Sequence, residues 1–298
     1  MAETVELARL AVADGTGLVC TTPHVRELLR QDEFDSVPAR VEEVRAELRR
    51  AGVSLEVLPG AELAHDDLPA MDDARLEAIA QGPPGRRWVL IEAPLFDGDA
   101  AAFLDGTAEV RARGFGTLIG HPERCRPLMA ADDAIAAELR AGARLQVNAS
   151  SLTGRHGTGA RAAAIALVRA GRVHVLASDA HRPTRGPVLG AAVAALAAEG
   201  LTGPAVEALT SDNPRALAGR RPCRHRGSRS GTDTVCRTAP AGQARRGSVQ
   251  FPGGRDPAGS SRETTPRGAP CAAVVRRRVP PAARRPARAR AARAGCPT

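Results

Sequence analysis

Residues 172–181 read RVHVLASDAH, and the reading of this stretch decides the fold. An apolar run of strand length follows Gly171 and has the pattern of a buried strand. It ends in an acid and a histidine two residues apart, Asp179 and His181. In a lone strand-to-helix turn these would be ordinary polar residues. If other strands end the same way, they belong to a common site.

Working outward, residues 1–218 alternate helix and strand. Strands are expected over 17–22, 54–59, 87–92, 116–121, 144–148 and 172–178. Helices are expected over 3–13, from Pro38 to Gly52, and over 99–113, 132–141, 158–170, 187–199 and 203–209. Val37, Val41, Val44 and Leu48 recur at helical spacing, with Ser36 placed as a cap. Such alternation predicts a parallel sheet with helical crossovers, either doubly wound or an incomplete barrel. No Gly-x-Gly-x-x-Gly or Walker-type loop follows any strand, which favours the barrel-like arrangement.

In α/β barrels the chemistry collects at the C-terminal ends of the strands. Here those ends carry His24, Glu62, Glu92, His121, Asn148, and the pair Asp179 and His181. Each alone has an ordinary explanation as a loop histidine, a cap or an ion-pair partner. Together, three imidazoles and three carboxylates at one pole form a ligand set for divalent manganese, iron or zinc. So many ligands suggest more than one metal, an arrangement that activates water for phosphoryl hydrolysis. Arg124 lies three residues after His121, and Arg185 four after His181. Their forked donors suit phosphate oxygens. No cysteine or serine nucleophile motif accompanies them, so the expected nucleophile is a metal-activated water.

Charge divides the chain in two. Residues 1–218 hold 23 Arg against 30 acidic residues, whereas residues 219–298 hold 19 Arg against Asp233, Asp256 and Glu263. The whole chain contains no lysine. The last segment has no Leu, Ile, Met, Trp or Tyr, too little apolar surface to offset the entropy of ordering, and is expected to be disordered. Its composition resembles GC-rich DNA translated in the wrong frame. Nucleic-acid or membrane binding by this basic tail is the less favoured reading. Four of the six cysteines lie there, leaving Cys20 and Cys125 in the folded part, which fits a reducing, cytoplasmic setting. No membrane span and no secretory signal are expected.

The ordered motifs TTPH (21–24), LPGAE (58–62), WVLIEAP (88–94), GHPER (120–124), LQVNASSLTGRHG (145–157) and ASDAH (177–181) resemble a known family. It is that of the bacterial tyrosine-protein phosphatases of the PHP (polymerase and histidinol phosphatase) superfamily, encoded in capsule and exopolysaccharide operons. The resemblance covers residues 1–218. It implies an α/β fold, the PHP-type distorted β/α barrel with seven strands, holding two or three metals, commonly Mn²⁺. It implies hydrolysis of phosphotyrosine on a partner protein, the bacterial tyrosine kinase of the polysaccharide export system. His24, Glu62, Glu92, His121, Asp179 and His181 would be metal ligands, and Arg124 and Arg185 would contact phosphate.

Family members open with a strand carrying Asp-x-His-x-His. This sequence starts at the helix that follows, which implies six of the seven strands, weakened metal binding and a start codon placed too late. Two rivals share the same motifs: a phosphoesterase acting on a small substrate such as histidinol phosphate or a nucleotide, and an inactive truncated member. A third rival is a non-catalytic remnant acting through the tail. The oligomeric state is not encoded in these motifs.

Overall fold

The computed structural model describes residues 1–220; the expectations placed on the tail fall outside the described residues. Seven strands follow one another: β1 (Leu18–Cys20), β2 (Glu56–Leu58), β3 (Glu62–Ala64), β4 (Trp88–Glu92), β5 (Gly116–Gly120), β6 (Arg144–Asn148) and β7 (Val175–Ala177). The helices are α1 (Ala2–Ala13), α2 (Val25–Arg30), α3 (Val37–Arg50), α4 (Asp73–Ile79), α5 (Ala100–Ala112), α6 (Arg126–Ala130), α7 (Asp132–Arg140), α8 (Ala149–Leu152), α9 (Gly157–Arg169), α10 (Leu189–Ala198), α11 (Pro204–Ala208) and α12 (Asp212–Leu217). Every strand pair is parallel, and the order is sequential, β1-β2 in one sheet and β3-β4-β5-β6-β7 in the other. The parallel α/β architecture is therefore the one the alternating pattern predicts.

The count of strands differs from the expected six, and the reason lies in Pro59 and Gly60. Between Leu58 and Glu62 the chain kinks, because Pro59 has no N–H to give to a ladder. Gly60 passes so close to its neighbours that an added Cβ would lie 2.4 Å from Gln81 Nε2 and 3.0 Å from Thr21 O. After the kink, residues 62–64 form a strand of their own instead of a loop and pair with Leu90–Glu92 of β4. The two sheets meet at this point. Leu58 O accepts from Thr21 N at 2.9 Å, Pro23 O accepts from Glu62 N at 2.9 Å, and a parallel bridge links His24 to Glu62. The strands expected at 17–22 and 172–178 are also shorter, reduced to β1 and β7.

The main core is sandwiched around β3–β7, with Leu63, Ile91, Phe103, Ile119, Leu145 and Leu152 all at 1% exposure or less. A smaller cluster seals β1-β2 beneath α1 and α3, using Val5, Ala8 and Val57 with Val41, Val44 and Leu48. Those last three belong to the helical spacing seen in the sequence. Ser36 precedes α3 but does not cap it with its side chain: the hydroxyl donates back to Glu33 O at 2.7 Å.

Residues far apart in sequence close the domain. Asp14, just after α1, accepts from Leu189 N at 2.7 Å and Gly190 N at 3.2 Å, so it occupies the open N-terminus of α10. Arg220 Nε donates to Glu56 Oε1 at 2.7 Å beside β2. Beneath the sheet, Arg111 of α5 forks onto Glu138 of α7, with Nη1–Oε2 at 2.6 Å and Nη2–Oε1 at 3.0 Å. Their side chains are 18% and 8% exposed. Removing one partner of such a pair leaves the other charge buried and uncompensated. Glu138→Ala is therefore expected to destabilise the fold by about 3–5 kcal/mol, read as a lowered urea midpoint. A loss within error would show that the pair does not tie α5 to α7.

Candidate metal centre

The C-terminal strand ends converge as their order dictates. His24 follows Pro23 in extended backbone and opens α2. Glu62 begins β3 and is 3% exposed, and Glu92 ends β4. His121 follows β5 in left-handed backbone, φ 36° and ψ 51°, and is 1% exposed. The left-handed turn swings its ring away from the strand direction, a conformation that histidine tolerates better than most side chains. Gly120 leaves the necessary room, since a Cβ there would stand 3.3 Å from Glu62 Oε1.

The four side chains form a ring. His24 Nδ1 is 3.6 Å from Glu62 Oε2 and 3.6 Å from Glu92 Oε2. His121 Nε2 is 3.3 Å from Glu62 Oε1 and 3.6 Å from Glu92 Oε1. Neither nitrogen of the buried His121 ring has a hydrogen-bond partner among the described residues. The donor atoms of His24, Glu62 and Glu92 all lie within 4.8 Å of one another. Donors bound ~2.1 Å from one ion at a tetrahedral angle would be roughly 3.4 Å apart. The ring therefore fits a divalent cation both in spacing and in donor type, imidazole with carboxylate.

The electrostatics agree with that fit. Burial disfavours the charged His121 imidazolium, but Glu62 and Glu92 outweigh it and hold the ring's pKa up at about 9. Glu92 is raised by burial and by the neighbouring Glu62, against the pull of His121, His24 and Arg124. Two carboxylates this close repel unless positive charge lies between them.

Asp179 and His181 are held differently. Asp179, also left-handed at φ 48°, accepts from Asn148 Nδ2 at 2.8 Å and from Arg185 Nη2 at 2.6 Å, and Arg124 Nη1 stands 3.9 Å away. His181 Nδ1 donates to Asp179 O at 2.8 Å, while Nε2 accepts from Arg185 Nη1 at 3.1 Å, since a guanidinium only donates. Burial lowers the His181 pKa, opposed by Asp179 and reinforced by Arg185. So the structure gathers His24, Glu62, Glu92 and His121 into one ring, and places Asp179 and His181 in a neighbouring cluster with Arg185. Arg124 stands between the two. Its side chain is 17% exposed, and its guanidinium donates no hydrogen bond within the described residues.

Two contributors, Glu123 and His156, escaped the reading of strand ends, and Asn148, which that reading includes, takes a supporting role. Glu123 is not paired with Arg124; it is buried, accepting from Asn148 N at 3.1 Å and Ser151 Oγ at 2.6 Å, and burial raises its pKa. It pins the β6–α8 turn to the His121 segment. Asn148 orients Asp179 through its amide. His156, at the start of α9, bonds Ser150 Oγ at 2.9 Å, and burial together with Arg124 and Arg185 lowers its pKa to about 4. The signal for His156 was present in LTGRHG, but it follows a loop and lies on no strand. Beside Arg185, a cavity of about 290 Å³ is lined by Ser150, Thr153, Arg155, Ser178 and Val188 among others.

Comparison with known proteins matches residues 1–218 to the family described as capsular polysaccharide synthesis, CpsB/CapC. The chain is similar to the tyrosine-protein phosphatase YwqE of Bacillus subtilis, 28% identical over 180 residues, which span 60% of this chain and 70% of that protein. It is also similar to CapC of Staphylococcus aureus, 24% identical over 63% of this chain and 72% of that one. Among solved structures it resembles those of YwqE from Bacillus subtilis and CpsB from Streptococcus pneumoniae, described as unique metal-dependent tyrosine phosphatases. That match has a TM-score of 0.61 at 25% identity, covering 75% of this chain and 92% of the other.

The charge state of His121 sets a pH dependence. Its pKa stands above the ordinary 6.5, so the proton stabilises the metal-free fold fully below about pH 6.5. That contribution is lost as pH rises through about 9. A cation using this nitrogen must displace the proton below that pH. Mn²⁺ affinity is therefore expected to rise about tenfold per pH unit between these limits, with proton release on binding measured by calorimetry in two buffers. A pH-independent affinity would exclude His121 as a donor.

Proposed function

The chain belongs to the CpsB/CapC family of capsular polysaccharide synthesis, and from that membership we propose that it is a metal-dependent protein-tyrosine phosphatase. Residues 1–218, the span of the family match, form the catalytic unit. The two sheets, handed over at His24 and Glu62, read as one curved parallel arc of the PHP-type barrel. The observation that carries the proposal is the position of Arg124, with its donors unspent, between a ring of two imidazoles and two carboxylates and the Asp179–Arg185 cluster.

His24, Glu62, Glu92 and His121 would hold a metal, and Asp179 and His181 would complete a second position on release from Arg185. Mn²⁺ suits this oxygen and imidazole set, with Fe²⁺ or Zn²⁺ as alternatives. Bound there, divalent ions supply activation of water and neutralisation of phosphoryl charge. The protein's own part is orientation. Arg124 presents a planar fork to two phosphate oxygens, and its charge meets the negative charge that builds on them. Arg185 has the same capacity, but in this structure its fork is engaged by Asp179 and His181. Binding a phosphate in place of the Asp179 contact would free that carboxylate for a cation. Glu123, buried and hydrogen-bonded to Asn148 and Ser151, keeps the HPER turn rigid, so the arginine does not have to be ordered when substrate arrives.

The substrate would be a phosphotyrosine protein, and the partner the tyrosine kinase of the polysaccharide export system, met in the cytoplasm. Among the described residues no helix is long and apolar enough to cross a membrane. The measurement is hydrolysis of a phosphotyrosine peptide by the full chain in Mn²⁺, compared with histidinol phosphate. Preferential release of phosphate from the peptide is expected, abolished by chelator. Arg124→Ala should reduce kcat/KM by about 10²–10³-fold. No hydrolysis of the peptide, or a preference for the small ester, would overturn the reading.

A further inference from the structure

Phe96 is the one exposed phenyl ring among the described residues: Phe34 and Phe103 are buried and Phe115 packs on the core, whereas Phe96 is 68% exposed. The neighbouring Leu95 is 36% exposed. Phe96 also has left-handed backbone, φ 56°, a position where a bulky side chain is strained. Of the four non-glycine residues with positive φ, three are Phe96, His121 and Asp179, and all follow the C-terminal ends of strands at this pole.

What holds Phe96 there is the arginine segment itself. Its N–H donates to Arg124 O at 3.0 Å, and its carbonyl accepts from Arg126 N at 2.8 Å. Arg126 also pairs with Asp97, and Gly98 N closes the turn onto Leu95 O at 3.1 Å. Phe96 forms a parallel bridge with Cys125, which is fully buried, whereas the phenyl ring itself stands in solvent. Paired backbones lie ~4.8 Å apart, so the ring and the Arg124 guanidinium start from positions one strand spacing apart. A strained and exposed apolar ring, on a loop whose backbone is hydrogen-bonded to the Arg124 segment, suits a ligand that is phosphate at one end and a flat apolar group at the other.

We infer that Phe96 is the specificity-determining residue for the aryl group, its ring packing against the phenyl of a phosphotyrosine whose phosphate is gripped at Arg124. The inference rests on the phosphatase reading above, but its test does not require turnover. Phenylphosphonate and ethylphosphonate carry the same non-hydrolysable head on an aromatic and an alkyl group. Calorimetric titration of the full chain with Mn²⁺ should show phenylphosphonate binding about tenfold more tightly. Phe96→Ala should reduce that preference to less than threefold, and Phe96→Trp, with a comparable backbone change, should retain it.

Equal binding of the two phosphonates by the unmodified chain would overturn the inference. A preference that survives in Phe96→Ala would do the same, and would leave the Leu95–Phe96 patch to a protein partner. If neither phosphonate binds, both the inference and the phosphate site fall. If the aryl preference behaves as expected while the phosphotyrosine peptide is not hydrolysed, the recognition stands and the activity does not.

Discussion

The constraint on which the rest depends is the burial of one carboxylate. Glu62 is 3% exposed, and an isolated carboxylate in such a place would be strongly disfavoured. Its neighbours are arranged to answer that. Its backbone takes the bridge from His24 on one side and the ladder of β4 on the other. Its oxygens face His24 and His121, and Gly120 gives way to let them in. The residue that joins the two sheets is also the residue that most needs a positive partner. Fold and site are thus coupled through one side chain, and the kink at Pro59 and Gly60 delivers it.

Much of this was legible in the sequence. Strand–helix alternation gave the parallel architecture, because apolar periodicity and glycine stops are local properties. His24, Glu92 and His121 come together because a sequential parallel sheet must bring its C-terminal ends together, and Glu62 joins them from the start of β3. The extra strand β3 was missed, since three residues after a Pro-Gly pair carry no periodicity to read. The partition of Asp179 and His181 away from the ring was also hidden. It is decided by which carboxylate Arg185 reaches, a tertiary choice among equivalents. The short helical turn of Pro122–Arg124 directs the adjacent Glu123 and Arg124 side chains apart, one into the core and one toward the pole.

The pole concentrates strain as well as charge. His121 and Asp179 stand in left-handed backbone on either side of β6, and Phe96 stands in it on the neighbouring loop. Each is held by hydrogen bonds from a different segment: His121 N to Gln146 O at 2.8 Å, Asp179 by Asn148 and Arg185, and Phe96 by the arginine turn. Such positions persist only where surrounding structure over-determines them. Here the over-determination comes from neighbouring strand ends bracing one another, so the geometry of the ring and of the arginines is a joint property of several loops.

The contact of Asp14 with the start of α10 has a consequence for how the chain is made. Its two partners are separated from it by 175 and 176 positions. A ribosome adding ~5–20 residues each second needs about 10–35 s to travel that far. Until α10 emerges, the first helix lacks this latch, although β1-β2 already meets β3 at His24 and Glu62. The first helix therefore spends its early life unlatched from that end of the fold, and this contact closes only after the start of α10 has left the exit tunnel.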